Sequence, residues 1–300
     1  MSKVFLLTGS SRGLGRQIAE ATLAAGHRLI ATARRPESLS DLRDQYGAQI
    51  LAVALDVADP TAAQDGVAAG VDEFGRLDVV VNNAGHAELA SVEDMTLEAF
   101  RDQLDTNLFG VVNVTKAALP ILRRQGAGHV IQISSIGGRL ATAGLSAYQA
   151  AKWAVGGFSE VLAKEVEPLG IKVTVLEPGG MQTDWAGASM RVPPISPPYQ
   201  ATVGDMARLH NTSTIALGDP AKVAQVVLTL AAMDRPPLRL ILGSEAYAYA
   251  TAAARTRAEA DAQWRELSIS TDRDDATEAD RDPLGTRAAL RDGDAPAGRP

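Results

Sequence analysis

The chain has 300 residues, a formal net charge of −7 and a pI near 5.2, with 46% hydrophobic and 22% charged residues and no cysteine. That length admits one large α/β core with excursions, and the acidic balance without a segregated basic patch argues against nucleic acid or an anionic membrane as partner. The absence of cysteine excludes disulfides, thiol nucleophiles and thiolate metal sites, and no apolar run approaches the roughly 18 residues of a membrane span.

Short apolar runs rich in β-branched residues recur along the chain: Lys3–Thr8, Arg28–Ala33, Ile50–Leu55, Leu77–Val81, His129–Ile133, Ile171–Leu176 and Leu238–Leu242. Between them Leu14–Ala25, Leu39–Gln45, Pro60–Phe74, Leu97–Arg124, Ala147–Leu169 and Pro220–Met233 carry helical periodicity. The alternation predicts a Rossmann-like, doubly wound α/β fold, with a parallel sheet of about seven strands and helices on both faces. Residues 184–219 break the rhythm with Pro193, Pro194, Pro197 and Pro198, and read as a substrate lid or loop. Glu245–Leu267 reads as one more helix. Residues 271–300 hold eight acidic and five basic residues with only Leu284 and Leu290 as large apolar side chains, so we expect a single catalytic domain over 1–270 and a disordered tail over 271–300.

The first strand runs into Thr8-Gly9-Ser10-Ser11-Arg12-Gly13-Leu14-Gly15, where a helix begins. Glycines there let backbone N–H groups approach a pyrophosphate, and the helix N-terminus adds its positive dipole end. The second strand ends in Ala33-Arg34-Arg35 with no carboxylate before Glu37. An acidic residue at that point accepts from a ribose 2′-OH, whereas a 2′-phosphate needs cations, and Arg12 with Arg34 could supply two. NADP is therefore expected as cofactor, with NAD possible.

Tyr148 and Lys152 lie four residues apart on a predicted helix, so both project from one face. Making a phenol with an ordinary pKa near 10 work at neutral pH needs a shift of about 3 units, roughly 4 kcal/mol. One ammonium about 4 Å away supplies that magnitude at an effective dielectric near 20.

The glycine turn with its G-x-x-x-G-x-G spacing, Asn82-Asn83-Ala84-Gly85, Tyr148 and Lys152 together resemble the main single-domain branch of the short-chain dehydrogenase/reductase family, over about Lys3 to Leu242. The resemblance implies that Gly9, Ser11, Arg12, Gly13, Leu14 and Gly15 hold the cofactor's phosphates. It implies that Arg34, Asp56 and Val57 hold the adenosine end, and that Asn83, Ala84 and Gly85 border the adenine ribose. Tyr148 and Lys152 would touch the ribose and nicotinamide, and Pro178, Gly179, Met181 and Thr183 would bend around the nicotinamide. Ser135, thirteen residues before Tyr148, matches the serine that hydrogen-bonds the substrate oxygen, with Ser134 as a competitor. Asn107 matches the asparagine that holds a water and completes a proton relay through Lys152. The implied activity is hydride transfer between a carbonyl and an alcohol, with Tyr148 as acid/base; the alternative is a cofactor-sensing or scaffolding protein that has lost catalysis.

Candidate pocket residues are His86, Gly137, Arg139, Leu140, Leu145, Trp185, Met190 and Tyr199, mostly apolar, which favours a neutral, apolar ketone, aldehyde or alcohol. Arg139 could meet a carboxylate but is read as pointing into water, and His86 as a polar wall. The histidines at 27, 86, 129 and 210 show no ligand spacing, so no metal is expected. The resemblance also implies a homodimer or homotetramer packed through the Tyr148 helix, where Ala150, Ala151, Ala154, Gly156 and Gly157 make a smooth stripe. The start of the chain runs directly into the first strand, and the expected location is cytoplasmic.

Overall fold

The computed structural model describes residues 2–181, 190–212, 217–277 and 279–282. Contacts divide the chain into two units, Met1–Ala253 and Ala254–Pro300. The first is built on strands β1 (Val4–Leu7), β2 (Arg28–Ala33), β3 (Ile50–Ala54) and β4 (Val79–Asn82). A short β5 (Ala87–Glu88) precedes β6 (Gly128–Ile133) and β7 (Ile171–Pro178), then come a short β8 (Met190–Arg191) and β9 (Arg239–Leu242). Seven of them form one parallel sheet in the order β3-β2-β1-β4-β6-β7-β9, as the apolar runs predict; β5 and β8 pair separately, also in parallel.

The sheet is covered on both faces, and side-chain alternation assigns the faces. In β1, Phe5 and Leu7 pack against α1 (Gly13–Ala24), α2 (Ser40–Tyr46) and α8 (Pro220–Ala232), through Ile18, Leu23, Leu42 and Val227. Val4 and Leu6 face the opposite layer of α3 (Pro60–Phe74), α5 (Gly110–Gln125) and α6 (Ser146–Val166), through Val67, Leu122 and Leu162. Each fully buried leucine contributes about 1.5–3 kcal/mol.

Local chemistry sets the helix ends. The Asp59 carboxylate accepts from the N–H groups of Thr61 and Ala62 ahead of Pro60, and α3 stops at Gly75 in the left-handed region. Asp219 caps α8 in the same way. The stretch expected as one helix over Leu97–Arg124 is in three pieces: α4 (Leu97–Leu104), a π-helical turn Asp105–Phe109, and α5. Such a turn widens the backbone by one residue and re-aims a side chain, here Asn107. The Glu245–Leu267 expectation also resolves into two helices, α9 (Ser244–Gln263) and α10 (Arg265–Ile269).

The expected lid is more regular than the prolines suggest. Its described part holds β8, a 3-10 turn Pro197–Tyr199, a π turn Gln200–Gly204 and α7 (Asp205–Thr212). It is stitched to the segment after β4: Leu89 N donates to Arg191 O at 2.8 Å, Ser196 N to Asp94 Oδ2 at 3.1 Å and Tyr199 OH to Glu93 Oε2 at 2.7 Å. Leu89, Val203 and Ala207 form a small apolar cluster with Leu145, Met190 and Tyr199 around this join. Thr183, Trp185 and residues 283–300 of the expected tail lie outside the described residues. Among the described residues no helix is long and apolar enough to cross a membrane, and no group of His, Asp or Glu side chains could hold a metal ion.

Candidate active site

The strand order reverses between β1 and β4, and the loops leaving their C-terminal ends diverge into a crevice, the position where open parallel sheets bind ligands. A cleft of about 650 Å³ opens there, running from Gly9–Gly15 past Tyr148 to Met190. Its adenosine end is walled by Arg34, Asp56 and Val57, its middle by Asn83, Ala84 and Gly85, and its far side by Pro178, Gly179 and Met181. Every residue expected to hold the cofactor therefore borders one cavity, Thr183 apart.

The glycine turn is built for close approach. Gly9 has φ +68°, and a Cβ on Gly15 would overlap the Gly9 carbonyl oxygen, so neither position admits another residue without moving backbone. α1 starts at Gly13 with Arg12 as N-cap, in extended conformation and with no side-chain capping bond, and no acidic residue lies in the first turn. The helix end therefore offers N–H donors to an anion in the cleft, which fits a dinucleotide's pyrophosphate. Arg12 and Arg34 are both exposed on the rim of the same end.

Asn83 staples this turn to β4: its N–H donates to Thr8 Oγ1 at 2.9 Å and its Nδ2 to Thr8 O at 2.9 Å. The preceding Asn82 turns into the core, donating to Gln132 Oε1 at 2.8 Å and Thr115 Oγ1 at 3.1 Å, and so locks β4 to β6. Thr8 belongs to the glycine turn itself, and Thr115 and Gln132, which nothing in their own local sequence marks, support the Asn82–Gly85 segment.

Tyr148 and Lys152 sit in the first two turns of α6, both buried, with the lysine Nζ 5.6 Å from the tyrosine ring centre. Ser135, half-buried at the end of β6, hydrogen-bonds Tyr148 and accepts from Gly137 N at 3.0 Å. Ser134 faces the other way and donates to Lys152 O at 3.3 Å, so of the two serines Ser135 is the one on the tyrosine.

The electrostatics depart from the sequence expectation. Burial pushes the Tyr148 phenol up to about 12, opposed by the Ser135 hydrogen bond, and pushes Lys152 down to about 8. The ammonium donates to Ile133 O at 2.9 Å instead of lying against the phenol oxygen. The phenol lies above its ordinary value in this chain, because desolvation of the phenolate outweighs the Ser135 hydrogen bond.

Asn107 anchors the segment that follows β4. It is fully buried and does not border the cleft; its Nδ2 donates to His86 O at 2.8 Å and its Oδ1 accepts from His86 N at 3.1 Å. A Cβ on Gly85 would come 2.6 Å from that Oδ1, so the glycine makes room for the amide. The side chain fixes the main chain after Asn82–Gly85.

Of the expected pocket residues, His86, Gly137, Leu140, Leu145 and Met190 line the cleft. Tyr199 does not; it packs behind Leu89 and Leu145. Arg139 is half-exposed and does not point freely into water: its Nε donates at 2.6 Å to Glu177, whose side chain is wholly buried. The wall is mixed rather than apolar, since Thr142, Gln149, Glu88 and Asp102 join it, with His86 3.3 Å from Asp102.

Comparison with known proteins agrees with this geometry. A family model described as short chain dehydrogenase matches residues 3–191. The chain is 53% identical over 273 residues to Oxidoreductase BOA17 of Botryotinia fuckeliana, covering 90% of this chain and 100% of that one. A crystal structure of a short-chain dehydrogenase from Streptomyces avermitilis superposes with a TM-score of 0.86 at 39% identity, over 91% of this chain and 100% of that chain. The closed form of a serine dehydrogenase complexed with NADP+ superposes with a TM-score of 0.70 at 30% identity, over 80% and 94% of the two chains. With the cleft, the glycine turn and the tyrosine–lysine helix in one register, the chain belongs to the short-chain dehydrogenase/reductase family and is an oxidoreductase of it.

Proposed function

We propose that the protein interconverts a carbonyl and an alcohol with NADP(H), using Tyr148 as the acid/base. One observation carries this reading: the buried Tyr148 hydroxyl, hydrogen-bonded by Ser135, borders the same cleft as the glycine turn. When bound, NADP(H) supplies the hydride at C4 of its nicotinamide and, in the oxidised form, a positive ring near the tyrosine. Arg12 and Arg34 hold the 2′-phosphate, which is also why NADP is preferred to NAD; the NADP+ bound to the serine dehydrogenase neighbour supports this.

The Ser135 hydroxyl, whose Oγ accepts from Gly137 N, turns the proton it shares with the Tyr148 oxygen to the substrate oxygen. Tyr148, protonated at neutral pH, gives its proton to that oxygen during reduction and takes it back during oxidation. Pro178, Gly179 and Met181 hold the nicotinamide on one side, and Asn107 sets the His86 main chain on the other. The substrate is a neutral carbonyl compound whose apolar body rests on Leu140, Leu145 and Met190. A cysteine-free acidic chain suits the reducing cytoplasm.

Consumption of NADPH across a panel of aliphatic and aromatic ketones tests the reading. Tyr148→Phe is expected to lose nearly all turnover with NADPH affinity unchanged; a variant that keeps more than about a tenth of the wild-type rate refutes the assignment. Equal Kd values for NADPH and NADH would refute the cofactor preference.

A further inference from the structure

Glu177 is the penultimate residue of β7, directly before Pro178 and Gly179, and its side chain is wholly buried. It accepts from Arg139 Nε at 2.6 Å through Oε2, and through Oε1 from Arg239 Nε at 3.1 Å and Arg239 Nη2. Arg239 also donates from Nη1 to Glu160 Oε1 at 2.7 Å. A Cβ on Gly156 would lie 3.1 Å from Arg239 Nη2, so the helix is smooth where the guanidinium rests.

These contacts join four segments, three of which bear on the reaction. Arg139 closes the 3-10 turn Ile136–Gly138 that Ser135 caps. Gly156 and Glu160 lie one and two turns beyond Lys152 on the helix that carries Tyr148. Glu177 itself continues into the cleft wall at Pro178–Gly179. A buried carboxylate is costly unless paired, and here both of its oxygens are taken by guanidinium donors, a pairing that lasts only while these segments hold their spacing.

We propose that Glu177 is a positioning residue: through Arg139 it fixes the Ser135 turn against β7, and thereby the distance from the serine and Tyr148 hydroxyls to the substrate oxygen. The proposal rests on the carbonyl-reduction reading above. Arg239 serves the same carboxylate but ties β9 to α6 and keeps Glu160 as a second partner, so its role is in stability.

The test compares wild type, Glu177→Gln, Arg139→Gln, Arg239→Gln and Tyr148→Phe, each as the full chain. The readouts are amide hydrogen exchange in residues 134–140 and steady-state reduction of 9,10-phenanthrenequinone by NADPH. For Glu177→Gln and Arg139→Gln we expect exchange in that segment to rise about tenfold with little change in α1. Their kcat should fall about 10- to 100-fold with KM for NADPH within about twofold of wild type. Arg239→Gln should lower Tm yet leave both readouts near wild type. If Glu177→Gln fails to fold, the partly exposed Arg139→Gln decides alone. Unchanged exchange, or unchanged kcat while Tyr148→Phe is inactive, overturns the proposal and leaves the reaction assignment standing. Quinone turnover that is absent or survives Tyr148→Phe sinks the reaction assignment instead, and the exchange readout then decides whether Glu177 holds the turn.

Discussion

Lys152 illustrates how a buried ammonium works against the stability of its own fold. Its ammonium is buried with Ile133 O as partner, and burial brings it from an ordinary 10.5 down to about 8. Between about pH 8 and 10.5 the unfolded chain therefore binds a proton that the native state lacks, and stability rises with pH across that window. Below pH 8 both states carry the charge and the cost of burying it is present in full, about 3 kcal/mol. Lys152→Met, of similar length and without charge, should raise Tm at pH 7 by several degrees and flatten the rise above pH 8 in thermal melts, while removing turnover. Tyr148 works in the opposite sense: its pKa is raised from 10.0 to about 12, so the native state keeps a proton that the unfolded chain releases, and that stabilisation is lost as pH climbs from 10 to 12. At this scale the spacing of Tyr148 and Lys152 on one helix face was readable, because helix geometry alone determines it. Whether the ammonium reached the phenol oxygen was not, since Ile133 comes from another segment.

Elements carry the site through backbone shape. The N-terminal glycine turn is tight enough that Gly15→Ala, whose Cβ would overlap the Gly9 carbonyl, should abolish NADPH binding in a fluorescence titration and lower stability by more than about 2 kcal/mol. A contrasting change at a helix end far from the chemistry is Asp59→Ala. It removes the capping bonds to Thr61 and Ala62 and should cost about 1 kcal/mol in denaturant unfolding, with kcat unchanged. The π turn at Asp105–Phe109 could not be read from periodicity, because one extra residue in an otherwise helical pattern leaves the apolar stripe nearly intact. It shows only in the direction of Asn107, which buries its amide against His86 and not toward the cleft.

At the scale of the whole molecule, the small residues of α6 divide between two uses. Ala151 and Gly156 are buried within the subunit, while Ala150, Trp153, Gly157 and Val161 are exposed along one face. We expect a homodimer or homotetramer packed on that face, and Trp153→Glu should shift sedimentation at micromolar concentration toward monomer. The domain reading is tested by a chain ending at residue 270, which should keep kcat within about twofold and melt cooperatively like the full protein. The sequence by itself determined the parallel sheet, the tight glycine turn and the helix that carries Tyr148 and Lys152, because each depends on spacing within a few consecutive residues, where helix and strand periodicity dictate which side chains share a face. Tertiary structure alone decided that Ser135 and not Ser134 meets Tyr148, that Asn107 braces His86, and that Glu177 takes both Arg139 and Arg239. Those partners lie tens of residues apart, and only the packing of sheet and helices, driven by burial of their apolar faces, brings such charges and amides within hydrogen-bonding distance.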